Sequence, residues 1–229
     1  MSSAKPKTFK LDEVKLRSVI NFQPHEKQLT VLSAKTRFTT LCWGRRCGKT
    51  YLAAYIALKS LLTSNNNIWI VAPTYDLAKR SWDYLAQWTM KINREAGQFI
   101  KINKSNYSME SYSGSKLELK SADNPASLLG IGLNLLIVDE AARIPEDIWQ
   151  TYLRPTLSDR QGKAVFISTP YGKNWFYGMM LKGTDEDPQY SDYSYFHMAT
   201  KENTALPHIK EEVEKARLEI PVKIGRAHV

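Results

Sequence analysis

The sequence has only two cysteines and lacks any long apolar run. Cys42 and Cys47 lie five positions apart, and a disulfide framework would need more cysteines, so we expect a reducing compartment. No apolar stretch approaches the length of about 18 residues that indicates a membrane-spanning helix, which excludes a helical membrane protein. The first ten residues lack the apolar segment of a secretory signal. Internal repeats and low-complexity segments are also missing, as is typical of a globular domain.

The composition that remains is that of a basic globular protein. The chain has 229 residues, of which 43% are hydrophobic, which is enough for one domain or for a domain with a small appendage. Its formal net charge is +9. A basic excess favours a polyanionic partner such as nucleic acid, because lysine and arginine displace condensed counterions from phosphates. Solubility alone is the alternative explanation of the charge.

The last seven residues have an unusual sequence. Residues 223–229 read Lys-Ile-Gly-Arg-Ala-His-Val, which is what a common sequencing adapter encodes in one reading frame. We therefore expect a non-native read-through here, with the native protein continuing past residue 222; a genuine basic tail is the alternative. Without Lys223 and Arg226 the net charge would still be +7.

Strand-like and helix-like segments alternate along the chain. Short apolar runs predict buried strands at 38–43, 68–72, 135–138, 164–168 and 195–198. Helical patterns follow at 48–62, after Pro73, and at 207–218. Between them, residues 99–120 alternate apolar and polar side chains around a Ser-Gly-Ser turn, which predicts antiparallel strands. The fold class is therefore α/β, with a mainly parallel central sheet flanked by helices plus antiparallel additions.

A loop between the first predicted strand and helix has the form of a phosphate-binding loop. It reads Gly-Arg-Arg-Cys-Gly-Lys-Thr over residues 44–50. Backbone N–H groups and a helix N-terminus can cradle phosphate there, with Lys49 reaching the β- and γ-phosphates and the Thr50 hydroxyl ligating Mg²⁺. The pattern is a variant, because Trp43 stands where the usual first glycine lies. A glycine turn with a chance Gly-Lys-Thr is the alternative.

Two adjacent carboxylates follow a buried strand. Residues 135–138 are apolar, and Asp139 and Glu140 come directly after them. Such a strand delivers both side chains to the carboxyl edge of the sheet, where ligands bind in open α/β folds. Asp139 would hold Mg²⁺ and Glu140 would orient the attacking water of a phosphoryl transfer. A solvated acidic turn is the alternative.

Two further segments are candidates for nucleotide contacts. Before the first strand, the Gln28 amide could read the adenine edge and Phe22 could support the base; an ordinary helix start after Pro24 is the alternative. After the strand at 164–168, small hydroxyl groups at Ser168 and Thr169, followed by Pro170, could sense the γ-phosphate. A plain turn explains the second segment equally well.

Arg45 and Arg46 lie inside the phosphate loop. An arginine near the γ-phosphate can neutralise transition-state charge. One of the two could instead be a structural ion-pair partner.

Taken in order, these motifs resemble the ATPase domain of tailed-phage large terminase subunits. The resemblance covers about residues 20 to 222. The segments that carry it are 44–50, 72–75 (Ala-Pro-Thr-Tyr), 121–125 (Ser-Ala-Asp-Asn-Pro), 137–142 (Ile-Val-Asp-Glu-Ala-Ala), 153–155 (Leu-Arg-Pro) and 168–172 (Ser-Thr-Pro-Tyr-Gly).

The resemblance implies a P-loop NTPase fold of the ASCE or RecA-like type and a function as an ATP-hydrolysing motor. With ATP and Mg²⁺, the motor would package viral double-stranded DNA into a procapsid in the cytoplasm of the bacterial host. Its partners would be the portal protein, the small terminase subunit and further copies in a ring. The implied site consists of catalytic Glu140 and Arg45, metal-binding Thr50 and Asp139, nucleotide-binding Gln28, Gly44, Arg45, Arg46, Cys47, Gly48, Lys49 and Thr50, and a coupling motif of Ser168, Thr169 and Pro170.

The sequence departs from the family pattern in two ways. Leu129 stands where many relatives have an arginine before the glycine at Gly130, so an intersubunit role for that arginine is not carried over. The acid-rich nuclease domain that usually follows is not represented. We therefore expect an N-terminal arm at 1–20, an ATPase domain at 21–205, and the start of a helical subdomain or linker at 206–222. A superfamily 2-type helicase or DNA translocase lobe is the alternative function, and nuclease activity is not expected.

Overall fold

The computed structural model describes residues 12–203, 206 and 208–219. Its helices are α1 (Glu13–Ile20), α2 (Glu26–Ser33), α3 (Lys49–Leu62), α4 (Tyr75–Ala96), α5 (Arg154–Thr156), α6 (Trp175–Thr184) and α7 (His208–Glu219). Its strands are β1 (Phe38–Trp43), β2 (Asn67–Ala72), β3 (Ile100–Asn103), β4 (Ser108–Ser111), β5 (Lys116–Ser121), β6 (Leu135–Asp139), β7 (Lys163–Ser168) and β8 (Tyr193–Met198).

The strands form one sheet in the order β3-β4-β5-β2-β6-β7-β1-β8. The six strands from β5 to β8 in this order are parallel, whereas β3 and β4 add to the β5 edge in antiparallel register. The predicted α/β class, with a mainly parallel sheet and an antiparallel addition at 99–120, is confirmed.

Successive residues of the central strands pack into cores on opposite faces of the sheet. In β6, Leu135 and Ile137 join the core under α3 and α4, whereas Leu136 and Val138 join the core under α6 and the π-helical turn Ile148–Leu153. This division follows from the two-residue side-chain period of a strand. A parallel strand covered on both faces is buried along its whole length; all five residues of β6 are buried, and the first four are apolar.

The topology brings several loops to one edge of the sheet. The chain leaves β1, passes through α3 and returns to β2, which lies beyond β7 and β6 in the sheet. The carboxyl ends of β1, β6 and β7 therefore lie side by side, and their following loops form a common edge. In open α/β sheets, this is the edge at which ligands bind.

The two ends of the described chain are helical. Residues 12–20 belong to the predicted N-terminal arm and include α1. Leu16 and Ile20 of α1 are buried in the core beside α4. At the other end, α7 begins the region predicted as a helical subdomain. The expected read-through at 223–229 lies outside the described residues. Within the described residues, no helix is both long enough and apolar enough to cross a bilayer.

Candidate active site

The loop at 44–48 joins β1 to α3 and holds the side chain of Lys49. Gly48 has a left-handed backbone (φ 76°) at the N-terminus of α3, a conformation that glycine adopts without a steric penalty. The ammonium of Lys49 donates hydrogen bonds to the carbonyls of Trp43 and Gly44, each at 2.8 Å. Burial lowers the pKa of Lys49, and the nearby negative charge of Glu140 opposes that shift. The loop is thus closed around a buried cation.

The residues that follow β8 form hydrogen bonds with this loop, although no sequence motif predicted the contact. We call residues 199–203, which follow β8, the loop brace. The Gly44 N–H donates to the Met198 carbonyl just before the brace at 2.7 Å, and the Asn203 side-chain amide donates to the Arg46 carbonyl at 2.7 Å. The Cys47 thiol donates to the carbonyl of Ala199 at 3.7 Å. The position of the phosphate loop is therefore coupled to the chain that leads towards α7.

The close approach of the brace explains why residue 44 is glycine. A Cβ at Gly44 would lie 2.6 Å from the backbone nitrogen of Thr200 and 2.2 Å from its hydroxyl oxygen. We expect Gly44→Ala to destabilise the protein by about 1–3 kcal/mol, as overpacking does elsewhere, and to weaken nucleotide binding by displacing the loop. Urea unfolding and calorimetric titration measure the two effects.

Gly178→Ala is the matched control for that substitution. Gly178 lies within α6, and apart from the backbone of its own helix a Cβ there would meet no atom within 4 Å. Because alanine favours a helix interior over glycine, this change should leave stability unaltered or raise it by up to about 1 kcal/mol. Equal unfolding midpoints for the wild type and Gly44→Ala would contradict the proposed tight contact.

The acidic pair at the end of β6 lies beside the first turn of α3. The Thr50 hydroxyl donates to a carboxylate oxygen of Asp139 at 3.4 Å, and the Glu140 N–H donates to the other oxygen at 2.9 Å. Asp139 is 3% exposed. Burial raises the pKa of Asp139 to about 7, with the charge of Glu140 as the second cause. A buried carboxylate beside a hydroxyl is the kind of oxygen pair that suits a hard divalent cation.

Glu140 has a strained backbone. Its φ of 50° and ψ of 43° lie in the left-handed region, which non-glycine residues rarely adopt and which is associated with functional sites. The Ser168 hydroxyl at the end of β7 donates to the Glu140 carboxylate at 3.5 Å and accepts from the Ala142 N–H at 3.3 Å. Ser168 thus links the Glu140 side chain to β7.

Lys49, Thr50 and Glu140 line one cleft with a volume of about 1020 Å³. Its lining comes from the phosphate loop, from Glu140 and Thr169, and from α4. Among the described residues, five cationic side chains line the cleft against two carboxylates, namely Arg45, Arg46, Lys49, Arg80 and Arg143 against Asp83 and Glu140. Such a surplus of positive charge suits a polyphosphate. Neither Arg45 nor Arg46 forms an ion pair with another described residue, in contrast to the structural ion pair that the sequence left open for one of them.

The segment before β1 differs from the expectation. Gln28 is 3% exposed; its amide donates to the Gly48 carbonyl at 3.2 Å and accepts from the His25 N–H at 3.1 Å, in the capping box of α2. Phe22 is buried and stacks on Tyr55, with ring centroids 4.0 Å apart. A helix start after Pro24 is therefore what the structure contains.

The remaining predicted residues divide between the cleft and the interior. Gly48, Lys49, Thr50, Glu140 and Thr169 line the cleft. Cys47 is buried, and burial raises the pKa of its thiol, so only its backbone is available to a phosphate. Pro170 is half-buried beyond Thr169.

Residues 41–217 match the family described as terminase large subunit, T4likevirus-type, N-terminal. The chain belongs to this family. The large terminase subunit of Thermus virus P23-45 is 30% identical over 237 residues, which cover 90% of this chain and 48% of that protein. The large subunit of Escherichia phage T5 is 34% identical over 169 residues, covering 71% of this chain and 38% of that protein.

The fold agrees with the family membership. The ATPase domain of the Thermus phage P74-26 large terminase superposes with a TM-score of 0.81 at 28% identity, covering 99% of this chain and 98% of that one. The chain spans about half the length, or less, of the large terminase subunits that it matches. The predicted family and the RecA-like P-loop fold are confirmed, and the helicase lobe is set aside. The matched span includes the phosphate loop, the acidic pair and residues 168–170 of this terminase domain.

Proposed function

We propose that this terminase domain is a Mg²⁺-dependent ATP hydrolase that drives the packaging of double-stranded DNA. One observation carries the proposal: Lys49, Thr50 and Glu140 line a single cationic cleft, and the Thr50 hydroxyl donates to the buried Asp139 carboxylate at 3.4 Å. A triphosphate needs a cradle, a cation site and a carboxylate that orients water, and this arrangement supplies all three.

Each group has a distinct role in the proposed reaction. Lys49 exchanges its two carbonyl partners for phosphate oxygens, and Arg45 offsets charge that develops on the γ-phosphate. Thr50 and Asp139 would hold Mg²⁺, which neutralises charge on the phosphates when bound. Glu140 orients and polarises the attacking water. Ser168, which donates to Glu140, passes loss of the γ-phosphate to β7, with Thr169 and Pro170 forming the rest of this coupling motif.

We further propose that ATP hydrolysis by this domain drives the translocation of DNA. Family membership supports double-stranded DNA as the substrate, and the net charge of +9 agrees with a polyanionic partner. The portal protein and the small terminase subunit are the proposed partners, and the bacterial cytoplasm is the proposed setting. A ring of copies is also proposed, in which a neighbouring subunit would reach the cleft that Arg80 and Arg143 line.

The direct test is phosphate release from ATP by the purified chain. We expect hydrolysis with Mg²⁺, none after chelation with EDTA, and a specific activity that rises with protein concentration because association completes the site. A non-hydrolysable ATP analogue should raise the unfolding temperature, since a ligand that binds only the folded state stabilises it. Absence of both hydrolysis and ligand stabilisation at every concentration would refute the proposed function.

A further inference from the structure

The side chain of Asn174 joins three segments of the chain. As the N-cap of α6, it accepts hydrogen bonds from the N–H groups of Phe176 at 3.1 Å and Tyr177 at 3.4 Å. Its amide nitrogen donates to the carbonyls of Ala142 at 2.8 Å and Tyr171 at 3.1 Å. Because a backbone N–H can only donate and a backbone carbonyl can only accept, these partners fix the orientation of the amide.

Capping explains only half of these contacts. Asparagine, aspartate, serine and threonine all cap helices well. An ionised aspartate has no donor, and a serine or threonine hydroxyl has only one. Among these capping residues, only asparagine can accept from the helix and also donate to two carbonyls. The two donated bonds therefore indicate a second role for Asn174.

The two carbonyls belong to segments that contribute to the cleft. Ala142 lies in the 3₁₀ turn that follows Glu140, and Tyr171 follows the coupling motif. Glu140 and Thr169 both line the cleft, whereas Asn174 does not. Each carbonyl that Asn174 holds is thus two positions along the chain from a residue that lines the cleft. Asn174 can affect the reaction only through the residues that it holds.

The turn after Glu140 needs support of this kind. The left-handed backbone of Glu140, with φ of 50° and ψ of 43°, is a strained conformation that persists only where the surrounding structure over-determines it. Ala142 is buried and held at both backbone groups. Its N–H donates to the Ser168 hydroxyl at 3.3 Å, and its carbonyl accepts from Asn174. These bonds oppose relaxation of the Glu140 backbone, because a change of its φ and ψ would displace the residues that follow.

We propose that Asn174 is a positioning residue for ATP hydrolysis: by holding the Ala142 carbonyl, it keeps the Glu140 carboxylate in the orientation that acts on the attacking water. Through the Tyr171 carbonyl, it ties the coupling motif to the same turn. The inference rests on the proposed function, since it takes Glu140 as the catalytic carboxylate.

Asn174→Asp separates positioning from capping. Aspartate keeps a capping oxygen and is favourable at a helix N-terminus, but it offers no hydrogen to the two carbonyls. We expect kcat to fall about 10–100-fold, since a misplacement of about 1 Å at a catalytic group can have an effect of that size. The KM for ATP and the affinity for ADP should stay at wild-type values. Steady-state phosphate release and calorimetric titration measure these quantities.

Asn174→Ser is the second variant. Serine also keeps a capping oxygen and carries no charge, but its single hydroxyl hydrogen cannot serve two carbonyls. It should therefore lose kcat as well, which would exclude the negative charge of aspartate as the cause.

Asn93→Asp is the matched control. The Asn93 amide donates to the Ile100 carbonyl at 2.7 Å and accepts from the Ile100 N–H at 2.9 Å, so it also links two segments. Asn93 does not line the cleft. This variant loses a similar donor and should keep the wild-type kcat. Thermal unfolding shows whether each variant is folded at the assay temperature.

A double variant tests whether Asn174 acts through Glu140. In the Glu140→Gln background, Asn174→Asp should cause no further loss of hydrolysis in single-turnover measurements, because the carboxylate that Asn174 orients is already absent. Residues that act as a unit show this kind of non-additivity.

The outcomes separate the role of Asn174 from the proposed function. The positioning role would be overturned by wild-type kcat in both Asn174 variants, by an equal loss in Asn93→Asp, by an effect on KM alone, or by a full additional loss in the double variant. Failure of the wild-type protein to hydrolyse ATP would overturn the proposed function and this inference together. A fall in kcat at constant KM that vanishes in the Glu140→Gln background would establish the role.

Discussion

Glu140→Gln is expected to reduce ATP hydrolysis about 10²–10⁴-fold, the range that a positioned acid–base group contributes. ATP affinity should change by less than about threefold, which corresponds to roughly 0.7 kcal/mol. The reason is that an amide keeps the shape of the side chain but loses the charge that polarises water. Single-turnover phosphate release and calorimetric titration measure the two quantities separately.

The local geometry of Glu140 makes this substitution a clean one. The left-handed backbone at this position is set by the turn after β6 and does not depend on the side-chain charge. The Ser168 hydroxyl, which lies 3.5 Å from the carboxylate, can bond equally to the oxygen of a glutamine. The charge is the main quantity that changes, so a loss of rate with retained binding would place Glu140 at the reacting water.

Glu146→Gln provides the control. Glu146 is an exposed carboxylate six positions along the chain that accepts a hydrogen bond from Gln150 and does not line the cleft. This variant should hydrolyse ATP at the wild-type rate. If Glu140→Gln also retained full turnover, Glu140 could not be the catalytic carboxylate, and the roles proposed for the acidic pair would have to be reassigned.

The central sheet could be predicted because its strands are buried on both faces. A strand such as β6 must be apolar at each position, so the run before Asp139 marks both its place and the point where it ends. The phosphate loop could be recognised from the sequence for a similar reason, because its function depends on a strand, a loop and a helix that follow one another directly in the chain. Sequence patterns of this kind record interactions between near neighbours in the chain.

The parts that could not be predicted depend on contacts between distant residues. The need for glycine at position 44 comes from Thr200, more than 150 positions away, and the loop brace has no composition of its own to signal it. The contacts of the Gln28 amide in the capping box of α2 and with the Gly48 carbonyl likewise could not be foreseen from the residue type alone. The roles of the individual site residues remain predictions, which the substitutions described above test.

Lys49→Ala is expected to weaken ATP binding by about 100-fold or more. Hydrogen bonds to a charged group contribute about 1.5–3 kcal/mol, and 2.7 kcal/mol corresponds to a factor of about 100. Among the described residues, Lys49 donates to the carbonyls of Trp43 and Gly44. Its lowered pKa shows that burial disfavours the charged form. A bound triphosphate would stabilise the charged form of Lys49. Replacing Lys49 by alanine should therefore reduce the free energy of ATP binding by more than it reduces the free energy of unfolding.

Lys59→Ala separates this effect from a general loss of positive charge on α3. Lys59 lies on the same helix, pairs with Glu13 at 3.0 Å and does not line the cleft, so its removal should leave ATP affinity unchanged. Lys49→Arg should also fail to restore binding, because a branched guanidinium does not fit the space that one ammonium fills between two carbonyls. Calorimetric titration of the three variants is the measurement. Unaltered ATP affinity in Lys49→Ala would show that the buried ammonium of Lys49 does not bind the phosphates. The loop at 44–48 would then not be the phosphate-binding loop.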